Sequence, residues 1–232
     1  MPGRRYRSDS VVYVRPTRPG TAGVRMDVMA PARAEREDLL DLLLTLTPEQ
    51  WRAPSLCAGW TVQDVVAHLL SYEELGPRQL AARFARGALR FDRVDAVGLR
   101  EYGTRTPAEL VDLLRRHLTP TGLTAGLGGA IALTDGLIHH QDIRRPLGLP
   151  RRVPRERLLP ALRTALFAPT LLGAVRVGDV RLVATDADWV FGRGPEVRGT
   201  AEALMMAVAG RRGIDADLTG PGRERIARRL AA

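Results

Sequence analysis

Lysine and asparagine are both absent from the 232 residues, so every side chain among the 35 counted as Lys or Arg is arginine. Their codons are AT-rich. Their joint absence points to a GC-rich genome, and it makes part of the arginine excess a matter of codon usage rather than of binding. The formal net charge of +9 is therefore poor ground for a nucleic-acid partner. The charge is also uneven. Residues 1 to 25 carry six Arg (4, 5, 7, 15, 18 and 25) against the single acid Asp9, and the rest of the chain interleaves Arg with Asp and Glu. A nucleic-acid surface normally shows a basic stripe with aromatics or a known motif. Aromatic residues make up only 5% of this chain, and no such stripe follows residue 25. Cysteine is nearly absent too: Cys57 is alone, which excludes an internal disulfide and suits a reducing, cytoplasmic setting. No run of about 18 apolar residues exists to cross a membrane, and the basic N-terminus lacks the apolar stretch of a signal peptide.

What remains is a chain with 45% hydrophobic residues, enough for a substantial core. Residues 1–28 are rich in Arg, Pro, Gly and Ser and have no periodicity, which predicts a disordered basic tail. Met26 and Met29 stand just before the first regular segment, so the tail reads either as an upstream extension or as a functional arm. From there the pattern is helical. Leu39, Leu40, Leu43 and Leu44 recur at helical spacing over about 31–46. Thr61 with Asp64, and Thr106 with Pro107 and Glu109, open two further helices in near-capping-box form. A fourth spans about 129–145, stopped by Pro146 and Gly148. A weaker helical stretch covers 77–101; of the arginines between 78 and 105 most are expected to form a solvated face, the alternative being that some hold an anionic substrate. Four main helices with short links predict an antiparallel bundle. Beyond about residue 150 the pattern changes. A helix near 156–168 leads to "VRLVATD", "WVFG" and "EVRGT" as short strands, then to "TAEALMMAVAGRR" and "GPGRERIARRLA" as helices. The expected organisation is a tail over 1–28, a helical bundle over 29–152 and a small α+β unit over 153–232.

The chemistry-bearing stretch is "TDGLIHHQDIRRPLG", residues 134–148. Asp135 and His139 are four apart, so on a helix they share a face one turn apart. Asp142 lies three further along that face. His140 leaves the helix about 100° away. A carboxylate and an imidazole about 5–6 Å apart at Cβ can reach one metal ion, and His68 on another helix is the candidate third ligand. Asp142 either orients a ligand histidine from behind or pairs with an arginine. His117 sits near a helix end, where a positive charge suits the helix dipole. Trp60 reads as a packing anchor, and Cys57 as buried and inert, since the sequence supplies it no acid–base partner.

Whole segments carry a resemblance. "LCAGWTVQDVVAHL" is similar to the L-C-x-G-W-T-V-x-D-V-x-x-H-L segment of the mycothiol-dependent maleylpyruvate isomerase family, a branch of the DinB-like bundle superfamily. "LTDGLIHHQDIRRPLG" resembles that family's second motif, and "GPEVRGTAEALMMAVAGRR" with "LTGPG" resembles its C-terminal unit. The three fall in the family's order across about residues 30–230. The resemblance implies a mainly α fold: a DinB-like up-and-down four-helix bundle followed by a small sterol-carrier-like α+β domain. It implies one divalent ion, usually zinc, on His68, Asp135 and His139, with Asp135 standing where the isomerase itself carries the longer Glu. It also implies mycothiol, a low-molecular-weight thiol of high-GC actinobacteria, as cosubstrate.

Three protein ligands leave a coordination position open, the arrangement of catalytic sites. The expected activity is a thiol transferase or cis–trans isomerase acting on a small electrophile. Alternatives are a metal-dependent hydrolase on the same bundle and a non-enzymatic ligand-binding or regulatory member.

Overall fold

A computed structural model describes residues 27–88 and 90–231. The basic tail expected over 1–28 lies outside the described residues except for Asp27 and Val28. Val28 is buried, and its N–H donates to the Gly128 carbonyl at 2.9 Å. The helices α1 (Met29–Leu43), α3 (Val62–Leu70), α6 (Pro107–Arg116) and α7 (Ala130–Arg144) pack on one another as the four-helix bundle. The short α2 (Pro48–Arg52) and the pair α4 (Pro77–Arg86) and α5 (Phe91–Tyr102) flank α3. Threonine caps start three of these helices. Thr47, Thr61 and Thr106 each accept from the N–H three residues on, and Gln50, Asp64 and Glu109 reach back to complete the box.

After α7 come α8 (Arg155–Phe167), α9 (Gly173–Val177), strands β1 (Arg181–Ala184), β2 (Val190–Gly192) and β3 (Glu196–Gly199), then α10 (Ala201–Val208) and α11 (Arg223–Ala231). The sheet order is β2-β1-β3, with β1 antiparallel to β2 and parallel to β3. A parallel neighbour only a few residues downstream requires the chain to cross the end of β1. It does so at Gly194, whose φ is 115° and where a Cβ would stand 2.0 Å from the Asp179 carbonyl oxygen. Only glycine fits there.

The helix α7 explains the placing of the site. It is buried nearly all round, from Ala132 to Ile143, because α1 and α3 cover one side and α8 the other. Leu133, Leu137 and Ile138 belong to an apolar cluster that runs through α8 into the sheet and α10. Ile143 belongs to a second cluster with Leu39, Val66 and Leu110. Anything polar on α7 is thus carried into the interior and needs a partner there.

Three details differ from the sequence reading. The stretch 77–101 is two helices, separated at Gly87 and Ala88; Ala88 has a φ of 50°. Its arginines are not all solvated. Arg83 is fully buried, donating to the Ser71 carbonyl at 2.7 Å and to Glu101 at 2.5 Å. The short α9 and a 3-10 turn at Ile214–Asp217 were not foreseen.

Candidate metal centre

Helix α3 delivers His68 and α7 delivers Asp135 and His139 to one point. One ligand atom from each lies within 4.8 Å of the others. His139 Nε2 stands 3.4 Å from Asp135 Oδ1, and His68 Nε2 stands 4.0 Å from Asp135 Oδ2. With metal–ligand bonds of about 2.0–2.2 Å, two ligands of a tetrahedral ion stand about 3.4 Å apart. The three residues fit such an ion with small movements of His68. His68 supplies a further sign: it is buried, and its Nδ1 has no hydrogen-bond partner. Nδ1 faces Asp95 Oδ1 at 3.6 Å, and that oxygen already accepts from the Tyr72 hydroxyl at 2.7 Å.

Behind His139 the arrangement is tighter. Its Nδ1 lies 2.8 Å from Asp142 Oδ2, which fits Nδ1–H donating and makes Nε2 the nitrogen that can serve as a ligand once its proton is lost. Asp142 is fully buried and is gripped from the C-terminal unit. Arg211 Nε donates to Oδ1 at 2.8 Å and Nη2 to Oδ2 at 2.7 Å. The arginine that pairs with Asp142 is thus Arg211; Arg144 bonds His140, and Arg145 pairs with Glu202 and Asp217.

Cys57 is less buried than expected and has polar partners. It is half-buried, its thiol donates to Asp142 Oδ2 at 3.1 Å, and Sγ is 3.7 Å from His139 Nδ1. Cys57, His139 and Asp142 therefore form a second cluster of ligand type. A cation suits it less. Both Asp142 oxygens are already engaged by a guanidinium, and a divalent ion would sit against that positive charge. Trp60 covers the two imidazoles, its ring centroid 5.1 Å from that of His68 and stacked 6.5 Å from that of His139.

The charges follow from these contacts. Burial disfavours the Asp135 carboxylate, but protonated His139 beside it outweighs that and holds its pKa down to about 2. Burial likewise works against a charged His139, yet Asp135 and Asp142 together raise it well above the ordinary imidazole value. Burial, reinforced by His139, keeps His68 below that value and neutral. The proton on His139 thus stands where a cation would bind. Any divalent ion must displace it, so zinc affinity is expected to weaken about tenfold per pH unit as pH falls below the raised His139 value. A chelator competition at pH 6 and pH 8 measures this; equal affinities would contradict it.

His140 takes no part. It is fully buried on another side of α7, with Nδ1 2.8 Å from Glu35 Oε1 and Nε2 accepting from Arg144 Nε at 2.9 Å. His117 is the C-cap residue of α6, remote from the site in the sequence and on the helix end.

Arg211, Asp95 and Tyr72 went unassigned by the sequence. Only the "AGRR" ending of the C-terminal motif offered any signal for the first.

Residues 32–127 match the family model described as the mycothiol maleylpyruvate isomerase N-terminal domain. Two solved structures share the fold across both parts of the chain. A mutant of the mycothiol-dependent maleylpyruvate isomerase, with a histidine changed to alanine, gives a TM-score of 0.56 at 16% identity. The mycothiol-dependent maleylpyruvate isomerase itself gives 0.51 at 15% identity. Each alignment covers 85% of this chain and 92% of the other. No curated protein sequence matches significantly.

Proposed function

We propose that the chain, whose residues 32–127 match the family model described as the mycothiol maleylpyruvate isomerase N-terminal domain, is a metal- and mycothiol-dependent enzyme, a transferase or isomerase acting on a small electrophile. The observation that carries this reading is the meeting of His68, Asp135 and His139 from two helices at one point. These three would hold one divalent ion, zinc in the first place. Bound there, the ion would supply positive charge that favours the thiolate form of a thiol cosubstrate.

The chain's own residues have separable tasks. Asp142 accepts from His139 Nδ1–H and fixes the tautomer, so that the free lone pair stays on Nε2. Arg211 holds Asp142 in place and keeps it ionised, which ties the C-terminal unit to the site. Asp95, anchored by Tyr72, faces the unpartnered nitrogen of His68 and can do the same for that ring. Trp60 lies over both imidazoles and restricts water on that side. Asp135 is only partly covered, its side chain 39% exposed, and its open face lines a cavity between α7 and α8 through which a substrate can approach.

The test is turnover of an electrophile panel with and without mycothiol, before and after chelation. Turnover is expected to require both thiol and metal and to return when zinc is added back. Metal-dependent turnover that proceeds equally without thiol would refute the thiol role and favour hydrolysis.

A further inference from the structure

The cavity on which Asp135 opens has a volume of about 650 Å³, within the ordinary range for small-molecule sites. Its walls are mainly apolar. Leu123, Leu127, Ile131, Ile138, Phe167 and Leu171 supply much of the apolar lining, from α7, α8 and the loops before and after. Leu127 and Phe167 are 72% and 69% exposed, so two large apolar side chains stand in water at this cavity. Leu127 has a φ of 57°, and Leu172, next in the chain after the lining residue Leu171, has a φ of 50°. Leucine rarely adopts that left-handed conformation, and strained positions cluster at ligand clamps.

Among the lining residues Thr134 is distinctive. It is 4% exposed, and its hydroxyl has no hydrogen-bond partner. A buried hydroxyl left unpaired is costly unless a ligand completes it. The charged groups on the cavity are Asp135, which belongs to the ion site, and Arg163, which makes no ion pair among the described residues.

We propose that this cavity receives the body of the electrophile, and that the substrate is therefore a largely hydrocarbon or aromatic molecule carrying one hydrogen-bonding group, not a small dicarboxylate. This rests on the reading of the ion site given above. The hydrocarbon walls gain from an apolar body. One acceptor on the ligand suffices for the Thr134 hydroxyl and Arg163. A second carboxylate, beyond the one that Arg163 can pair, would be set against aliphatic walls with no partner for its charge.

The test is a binding measurement on the zinc-loaded full chain without thiol. The probe is 1-anilinonaphthalene-8-sulfonate, an aromatic body with one anionic group, followed by fluorescence. One equivalent is expected to bind. Ile131→Glu, at a half-buried position, is expected to weaken binding at least tenfold while keeping its zinc content, and Leu127→Glu on the exposed rim serves if the first variant fails to fold. In displacement, cinnamate is expected to act at concentrations at least tenfold below those needed for maleate. Probe binding that both Glu variants leave unchanged, or maleate displacing as well as cinnamate, would overturn the proposal. Neither outcome depends on turnover. A failure here leaves thiol-dependent activity standing, and absence of that activity leaves this binding result standing.

Discussion

Replacing His139 with alanine is expected to weaken zinc binding by at least 100-fold and to abolish thiol-dependent turnover. The side chain makes two kinds of contact. Its Nε2 faces Asp135 at 3.4 Å, and its Nδ1 is fixed by Asp142 at 2.8 Å. Loss of an orienting partner alone typically costs 10–100-fold in metal affinity, so loss of the ligand itself costs more. His140→Ala is the informative neighbour. It has a similar helix propensity and is equally buried, but its ring contacts Glu35 and Arg144 instead of the site. That variant is expected to keep its ion and lose about 1–3 kcal/mol of stability, the cost of leaving buried polar groups unpaired. Zinc content measured on folded protein separates the two effects. If His140→Ala loses zinc while His139→Ala retains it, the assignment of ligands on α7 is wrong.

The largest stability effect is expected at Glu35. This carboxylate is 1% exposed and holds together three elements: it bonds His140 of α7, Arg151 in the following loop, and Arg157 of α8. Arg157 also pairs with Asp38 at 2.6 Å. Burial works against the Glu35 charge, but the hydrogen bond from His140 and the charge of Arg151 outweigh it and lower its pKa. Glu35→Ala leaves guanidinium groups without their buried counter-charge, for which a loss of about 3–5 kcal/mol is expected. Urea unfolding measures it; a loss under about 1 kcal/mol would show that the network is replaced by water.

The same network gives the protein an acid-sensitive seam. Burial dominates at His140 and takes its pKa down to about 4, against about 6.5 for an ordinary imidazole. The unfolded chain therefore binds a proton between those values that the folded chain does not. Stability from this group is complete above about pH 6.5 and falls as pH drops towards 4. The Glu35 carboxylate adds a loss of the same sign at lower pH, since its folded pKa is also depressed.

Local signals in the sequence accounted for much of this. The Thr61–Asp64 and Thr106–Glu109 boxes are three-residue patterns, and both form as expected. The Asp135–His139 pairing needs only the helical repeat, which also sets His140 apart. What was illegible depends on distant segments meeting. Asp142 meets Arg211, 69 residues later, and Cys57, 85 residues earlier, and no local repeat sets either pair together. Nothing local in the sequence pairs Glu35 with His140, 105 residues on. The split of 77–101 into α4 and α5, at Gly87 and Ala88, was obscured by arginines that look solvated, although Arg83 is buried under Tyr72 and Tyr102. The parallel β1–β3 pairing was hidden because a short link normally signals a hairpin, and Gly194 removes the steric bar.

The absorption spectrum of the cobalt(II)-loaded protein, recorded without added thiol, tests the central claim most directly. The two candidate clusters share His139 but differ in chemistry: His68, Asp135 and His139 offer nitrogen and oxygen, whereas Cys57, His139 and Asp142 would add sulfur. The account predicts one equivalent of cobalt with visible bands of a nitrogen–oxygen site, no sulfur-to-cobalt band in the near ultraviolet, and a spectrum unchanged by Cys57→Ser. A strong near-ultraviolet sulfur band that disappears in Cys57→Ser, or failure to take up cobalt at all, would contradict it.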